Sequence, residues 1–159
     1  MPEPPNPGGP RLVLAFDYGR SRIGVACGDT LTRTATALRG LSARAGSVSW
    51  SDVSALLEEW RPAAAVVGLP YNADGTEGAL ARAARVFAAE LAGRFALRVH
   101  LVDERYSSLA AAERLRLERE SGARRRRVAK TDVDAAAACV ILERWFDETG
   151  AGANAITNR

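Results

Sequence analysis

The chain has 159 residues, 47% hydrophobic and 26% charged, with a net charge of +3 and a sequence pI near 9.3. That length supports one ordinary core, and the composition excludes a chain disordered throughout. Its longest apolar runs, Ala63–Gly68 and Ala135–Leu142, fall far short of the roughly 20 residues of a membrane span.

Residues 1–10 hold five of the seven prolines together with Gly8 and Gly9, and read as a disordered tail. No N-terminal stretch joins a basic start, an apolar core and a cleavage site, so a cytoplasmic protein without membrane association is expected. Leu12–Asp17 is a short apolar run that predicts a buried strand ending at Asp17. Gly19 and Arg20–Ser21 make a turn, and Ile23–Cys27 resumes the apolar pattern, giving a hairpin. A third strand is expected over Thr32–Leu38, where polar and apolar residues alternate.

The period then changes. Val53, Leu56, Leu57 and Trp60 mark one face of a helix that Pro62 terminates. Ala63–Gly68 is a second buried strand, and Leu80, Ala84, Phe87 and Leu91 mark a helix expected to close near Gly93. Leu97–Val102 is a further strand, Ser107 or Ser108 can cap a third helix, and Val133–Phe146 forms a fourth. Strands alternating with helices imply parallel pairing in the second half. The expected architecture is therefore α/β: a five-stranded mixed sheet, antiparallel meander then parallel βαβ, with helices on both faces. One domain over residues 11–148 is expected, with a flexible tail from 149 to 159.

Cys27 and Cys139 each sit in an apolar segment and read as reduced, buried thiols rather than a disulfide. Trp50 and Trp60 suit core or helix packing, and His100, inside a strand, is read as structural. The positive charge is uneven. Between Arg119 and Lys130 stand six cations (Arg119, Arg124, Arg125, Arg126, Arg127 and Lys130) against one anion, Glu120. That segment points to a polyanionic partner, although a solvated loop has the same composition.

Three carboxylates are candidates for metal-dependent phosphodiester chemistry. Hard divalent cations prefer oxygen ligands, and a bound pair of them can stabilise both the attacking and the leaving oxygen of a phosphoryl displacement. Asp17 ends the first strand and Glu104 follows the strand that stops at Val102, so both fall at carboxyl ends of strands. On the last helix, Asp134 shares a stripe with Ala138, Ile141 and Trp145, whereas Asp132 is rotated roughly 200° away. Asp132, or Thr131, is accordingly the expected N-cap. Taken singly, each acid has a plain alternative: Asp17 caps a turn, Glu104 pairs with an arginine, Asp134 meets a helix N-terminus.

Four blocks occur in order: Phe16-Asp17-Tyr18-Gly19 through Ile23-Gly24-Val25-Ala26; Val67-Gly68-Leu69-Pro70 with Asn72 and Asp74-Gly75-Thr76; Asp103-Glu104-Arg105; and Val133-Asp134-Ala135-Ala136 through Ile141-Leu142-Glu143. Over residues 12–147 they resemble the YqgF/RuvX family of pre-16S rRNA nucleases, relatives of the RuvC-type Holliday junction resolvases. The resemblance implies a ribonuclease H-like fold and a nuclease whose catalytic and metal-binding residues are Asp17, Glu104 and Asp134, with Mg²⁺ or Mn²⁺ as cofactor. Asp132 is then at most an auxiliary ligand. Arg20, Arg22, Asn72, the run Arg124–Arg127 and Lys130 are expected to contact nucleic acid. The expected partner is structured RNA, with branched DNA as the alternative, bound by a monomer or a homodimer. Asp17-x-Gly19 also resembles the phosphate-binding hairpin of actin-like ATPases, but those enzymes clamp nucleotide between two such lobes and this chain has one. A non-catalytic nucleic-acid-binding module is the remaining alternative. No serine has an adjacent histidine to activate it, which leaves no evident nucleophile for covalent catalysis.

Overall fold

The computed structural model describes residues 11–44, 47–72, 74–104, 116–117 and 130–148, with the backbone alone at 44 and 130–134. The two expected tails, the cap at Ser107 or Ser108 and the Arg124–Arg127 run lie outside the described residues. The elements in chain order are β1 (Leu12–Tyr18), β2 (Arg22–Asp29), β3 (Ala35–Arg44), β4 (Ser47–Val48), α1 (Trp50–Trp60), β5 (Ala64–Leu69), α2 (Ala79–Phe95), β6 (Arg98–Asp103) and α3 (Lys130–Glu148).

They build a six-stranded sheet in the order β4-β3-β2-β1-β5-β6, antiparallel from β4 to β1 and parallel from β1 to β6. The expected count of five is corrected by β4, which pairs only Ser47 and Val48 with Arg44 and Ala43. Two residues are too few to show any alternation, so this strand leaves no periodic trace in the sequence.

The two faces of the sheet read directly from β1. Leu14, Phe16 and Tyr18 join Val53, Phe87, Ala88 and Leu91 in the core beneath α1 and α2. Val13 and Ala15 join Ala64, Val66 and Val102 with Ile141, Leu142, Trp145 and Phe146 in the core beneath α3. Helices therefore cover both faces, as the alternating second half required.

Local chemistry sets three boundaries differently from the sequence pattern. The third strand begins at Ala35 because Leu31 and Thr32 donate their N–H groups to Asp29 Oδ1, closing a turn over 29–34. Gly93 does not end α2: the helix runs on to Phe95 and closes at Ala96, whose left-handed φ of 49° turns the chain so that the Leu97 N–H donates to Ala92 O at 3.2 Å. Helix α3 starts at Lys130, so Thr131 and Asp132 lie in its first turn rather than at its cap. The start of α1 is the conventional kind, with Ser49 Oγ accepting from the Asp52 N–H.

The tryptophans pack as expected. Trp50 stacks on Phe87 at 5.7 Å between centroids, with the Arg94 guanidinium 4.5 Å over its ring, and Trp60 rests on the same core. Both cysteines are free and buried. His100 stands 5.1 Å from Trp145, ring to ring, which gives this strand histidine its packing role.

Candidate active site

Strand alternation decides which acids meet. Val13 and Ala15 face α3, so Asp17, two residues on, is on the same face of β1. Ala64 and Val66 face α3 likewise, which places Gly68 on that face of β5, and Val102 does the same for Glu104 just beyond β6. The last registered pair between β1 and β5 is Phe16 with Val67, and Gly68 pairs with Val102. Asp17, Gly68 and Glu104 thus gather at the carboxyl ends of three neighbouring strands. The chain leaves β1 toward β2 on one side while β5 lies on the other, and such a switch point is where open α/β sheets bind ligands.

Gly68 is the floor of this arrangement. A Cβ built there would stand 2.7 Å from Glu104 Oε2 and 2.5 Å from Ile141 Cδ1. The glycine therefore makes room for a carboxylate that is itself only 5% exposed. The Glu104 main chain is held by its N–H donating to Leu69 O at 3.0 Å. A buried carboxylate with a second on the same face of the sheet offers oxygen donors of the kind a hard divalent cation prefers. The residues present fit such an ion.

Asp134 belongs to α3, and the direction of that helix is settled by its contacts. Leu142 and Phe146 lie against Gly28, near the amino end of β1, while Ala138 and Cys139 pack on Ala26. One helical turn further back, at about 6 Å, the backbone at 134 reaches the level of Gly24, the β-partner of Asp17. The stripe of Ala138, Ile141 and Trp145 named from the sequence is buried. Among the described side chains no group of three or more His, Cys, Asp or Glu converges, and the Asp134 side chain is not among them.

The expected nucleic-acid contacts divide by location. Arg20 is exposed in the β1–β2 turn, where a Cβ at Gly19 would collide with Arg22 O. Arg22 opens β2, and its alternation with Gly24 and Ala26 sets it on the face of Asp17. Lys130 begins α3. Asn72 sits in the loop after β5 and is engaged within it: its N–H donates to Thr76 O and its Nδ2 to Thr76 Oγ1. In the same loop the Thr76 hydroxyl and N–H both donate to Asp74 Oδ1, holding that exposed carboxyl below its ordinary pKa. Gly75, at φ 89°, closes the turn. Arg85 adds a brace, with its Nε 2.6 Å from Glu77 Oε1 and its NH2 donating to the Tyr71 hydroxyl. The polar side chains of this loop are thus bound to one another at the carboxyl end of β5. Sequence reasoning missed the Gly68–Glu104 fit and the brace at Arg85, although the sheet phase of Val66, Gly68, Val102 and Glu104 carried the first of them.

A family model described as RuvX, Holliday junction resolvase, matches residues 11–148. A Yersinia enterocolitica protein named "Putative pre-16S rRNA nuclease" is 48% identical over 138 residues, 87% of this chain and 96% of the relative. The Yersinia pestis (strain Pestoides F) protein of the same name is 49% identical with the same coverage. Among solved structures the fold is similar to Thermus thermophilus RuvC in complex with a Holliday junction substrate, with a TM-score of 0.55 and 19% identity over 89% of this chain and 97% of that one. It is similar also to Thermus thermophilus RuvC in a second structure, with a TM-score of 0.54 and 16% identity over 88% and 97%. The likeness in fold identifies the sheet as ribonuclease H-like, and the chain belongs to the RuvX family.

Proposed function

We propose that the protein is a cytoplasmic, metal-dependent nuclease that hydrolyses phosphodiester bonds of structured RNA, in maturing the 5′ end of precursor 16S ribosomal RNA. The observation that carries the reading is that Asp17 and Glu104 share one face of the sheet at the carboxyl ends of strands that flank β5, with the Glu104 carboxylate seated over the side-chain-free Gly68. The names of the curated relatives support the substrate.

In this reading Asp17, Glu104 and Asp134 hold Mg²⁺ or Mn²⁺. The ion, when bound, supplies positive charge to the phosphodiester under attack and helps water act as nucleophile. The protein's own part is positional. The β-partners of Asp17 fix its main chain, the space left at Gly68 admits the carboxylate of Glu104, and Arg20 and Arg22 hold the scissile strand. Arg124–Arg127 and Lys130 add attraction for the backbone that weakens with salt.

Branched DNA is the second reading, supported by the description of the matching family and by the RuvC complex with its junction. One experiment separates the two. Labelled precursor ribosomal RNA, single-stranded RNA and DNA, and a four-way junction are incubated with Mn²⁺, Mg²⁺ or EDTA, using the native chain and Asp17→Asn. RNA cutting lost with EDTA and with Asp17→Asn is the expected result. Paired nicks in the junction alone would move the substrate to DNA. Binding without cutting, unchanged by Asp17→Asn, would overturn the nuclease.

A further inference from the structure

Asp103 and Glu104 share one peptide group, and both of its polar atoms are held. The Glu104 N–H donates to Leu69 O on β5 at 3.0 Å. A trans peptide points its C=O and its N–H to opposite sides. Asp103 O is therefore turned away from β5, toward the outer rim of the sheet. There β6 is the last strand, and among the described residues no strand pairs with that rim. The donor comes from α3 instead: Arg144 NH1 stands 2.6 Å from Asp103 O.

Helix α3 meets Glu104 at a second point. Ile141, three residues before Arg144 and so its neighbour on the helix surface, sends Cδ1 into the space over Gly68 where the Glu104 carboxylate also lies. Trp145, next after Arg144, stands against His100 of the same strand. The Arg144 bond joins a guanidinium to a carbonyl in a half-buried setting, and such charge-assisted bonds are stronger than neutral ones. Another arginine ties the same helix elsewhere: Arg33, in the turn before β3, donates to Phe146 O at 3.1 Å. Phe146 lies against Gly28, near the partner of Val13 at the amino end of β1, away from the acids.

We propose that Arg144 is a positioning residue of the metal site: by holding the Asp103–Glu104 peptide from the rim of the sheet, it presets Glu104 for a divalent cation. The inference rests on the metal-dependent reading above, in which Glu104 is a ligand. Glu104 is the first residue past β6, where the ladder ends. The bond to Leu69 fixes one side of its peptide and Arg144 fixes the other, which sets the peptide plane and with it the place of the Glu104 Cα. Without Arg144 more of the ordering of Glu104 falls to the ion itself, and an ion that must order its own ligand binds more weakly.

The test measures Mn²⁺ binding by the full chain in two ways that need no cutting: titration calorimetry, and melting temperature against Mn²⁺ concentration. The variants are Arg144→Met, which keeps an apolar stem without a donor, Arg144→Lys, which restores a charged donor, and Arg33→Ala, which removes the other arginine bond to α3. Arg144→Met is expected to need about ten to a hundred times more Mn²⁺ for half-saturation, the range for losing a group that orients a metal ligand. Arg144→Lys recovers part of that loss. Arg33→Ala lowers melting in EDTA and leaves the half-saturating Mn²⁺ where it is. Should Arg144→Met not fold, Arg144→Gln, with a neutral donor, carries the same comparison. If the Arg144 variant melts lower in EDTA yet binds Mn²⁺ as the native chain does, the bond is structural only: this inference fails and the nuclease stands. If Mn²⁺ neither binds nor stabilises the native chain, the metal reading fails and takes this inference with it. An equal loss of Mn²⁺ affinity in Arg33→Ala would trace the effect to loosening of α3 as a whole and would also overturn the proposal.

Discussion

Glu104 lies with its carboxylate where the side chain of residue 68 would be: a Cβ at Gly68 would approach Glu104 Oε2 to 2.7 Å. Gly68→Ala must therefore displace the carboxylate, Ile141, or both. The methyl group is expected to cost about 1–3 kcal/mol as overpacking and to lower cleavage at least tenfold. Urea unfolding and cleavage rates of the variant measure the two effects. Full activity in Gly68→Ala would mean that Glu104 acts from some other position.

The proposed metal binding by the acids predicts a stability signature independent of cutting. An ion that binds only the folded state raises stability by about 2.7 kcal/mol at one hundred times its Kd. The native chain is expected to melt higher in Mg²⁺ or Mn²⁺ than in EDTA, and Asp17→Asn, Glu104→Gln and Asp134→Asn to lose most of that difference. Asp134→Asn is the informative variant, because the role of that residue rests on helical phase and on the level its backbone reaches beside Gly24. An undiminished metal shift in that variant would remove it from the ligand set.

His100 gives a pH dependence of known sign. Its burial against Trp145, and then repulsion from Arg98 on the same strand, hold the imidazole below the ordinary histidine pKa. Its Nε2 is buried with no hydrogen-bond partner among the described residues. The unfolded chain takes up that proton near pH 6.5 while the folded one resists it, so the unfolded state binds more protons. The contribution of His100 to stability is complete above about pH 6.5 and is lost as pH falls toward the folded pKa. Melting temperatures between pH 7.5 and 5.5 should fall less steeply in His100→Phe than in the native chain. Equal slopes would assign the pH dependence to other groups.

The two thiols sit on opposite faces of the sheet, Cys27 in the core under α1 and α2 and Cys139 against Ala26 under α3. They cannot join without unfolding. Burial, and then the neighbouring Asp29, push the Cys27 thiol up, away from the reactive thiolate. A thiol reagent should label neither cysteine in the native chain and both in denaturant, with melting unaffected by dithiothreitol. Rapid native labelling of Cys27 would contradict its placement.

Phe87 joins three aromatic neighbours, Phe16, Tyr18 and Trp50, at 5.6, 5.3 and 5.7 Å between centroids. Phe87→Ala should cost about 3–5 kcal/mol, enough to unfold a marginal domain, while Val86→Ala next to it, on the exposed side, should be nearly silent. Urea titrations of both variants make the comparison.

The sequence by itself determined the elements whose side chains repeat with a period. The 3.6-residue spacing of Val53, Leu56, Leu57 and Trp60 is that of a helix with one buried side, and α1 runs from Trp50 to Trp60. The Ala63–Gly68 run is apolar because β5 is covered on both faces. Periodicity also picked out the stripe of Ala138, Ile141 and Trp145, which is buried because a helix has only one phase. Tertiary structure alone decided what depends on contacts between distant segments. The side-chain turn at Asp29 delayed β3, the left-handed Ala96 carried α2 past Gly93, and β4 was too short to leave a pattern. Placing Asp17 and Glu104 on one face at one end of the sheet needed the register of β1, β5 and β6, which relates residues more than eighty positions apart. A local pattern fixes which way a side chain turns on its own element; only strand order and register fix what it then meets.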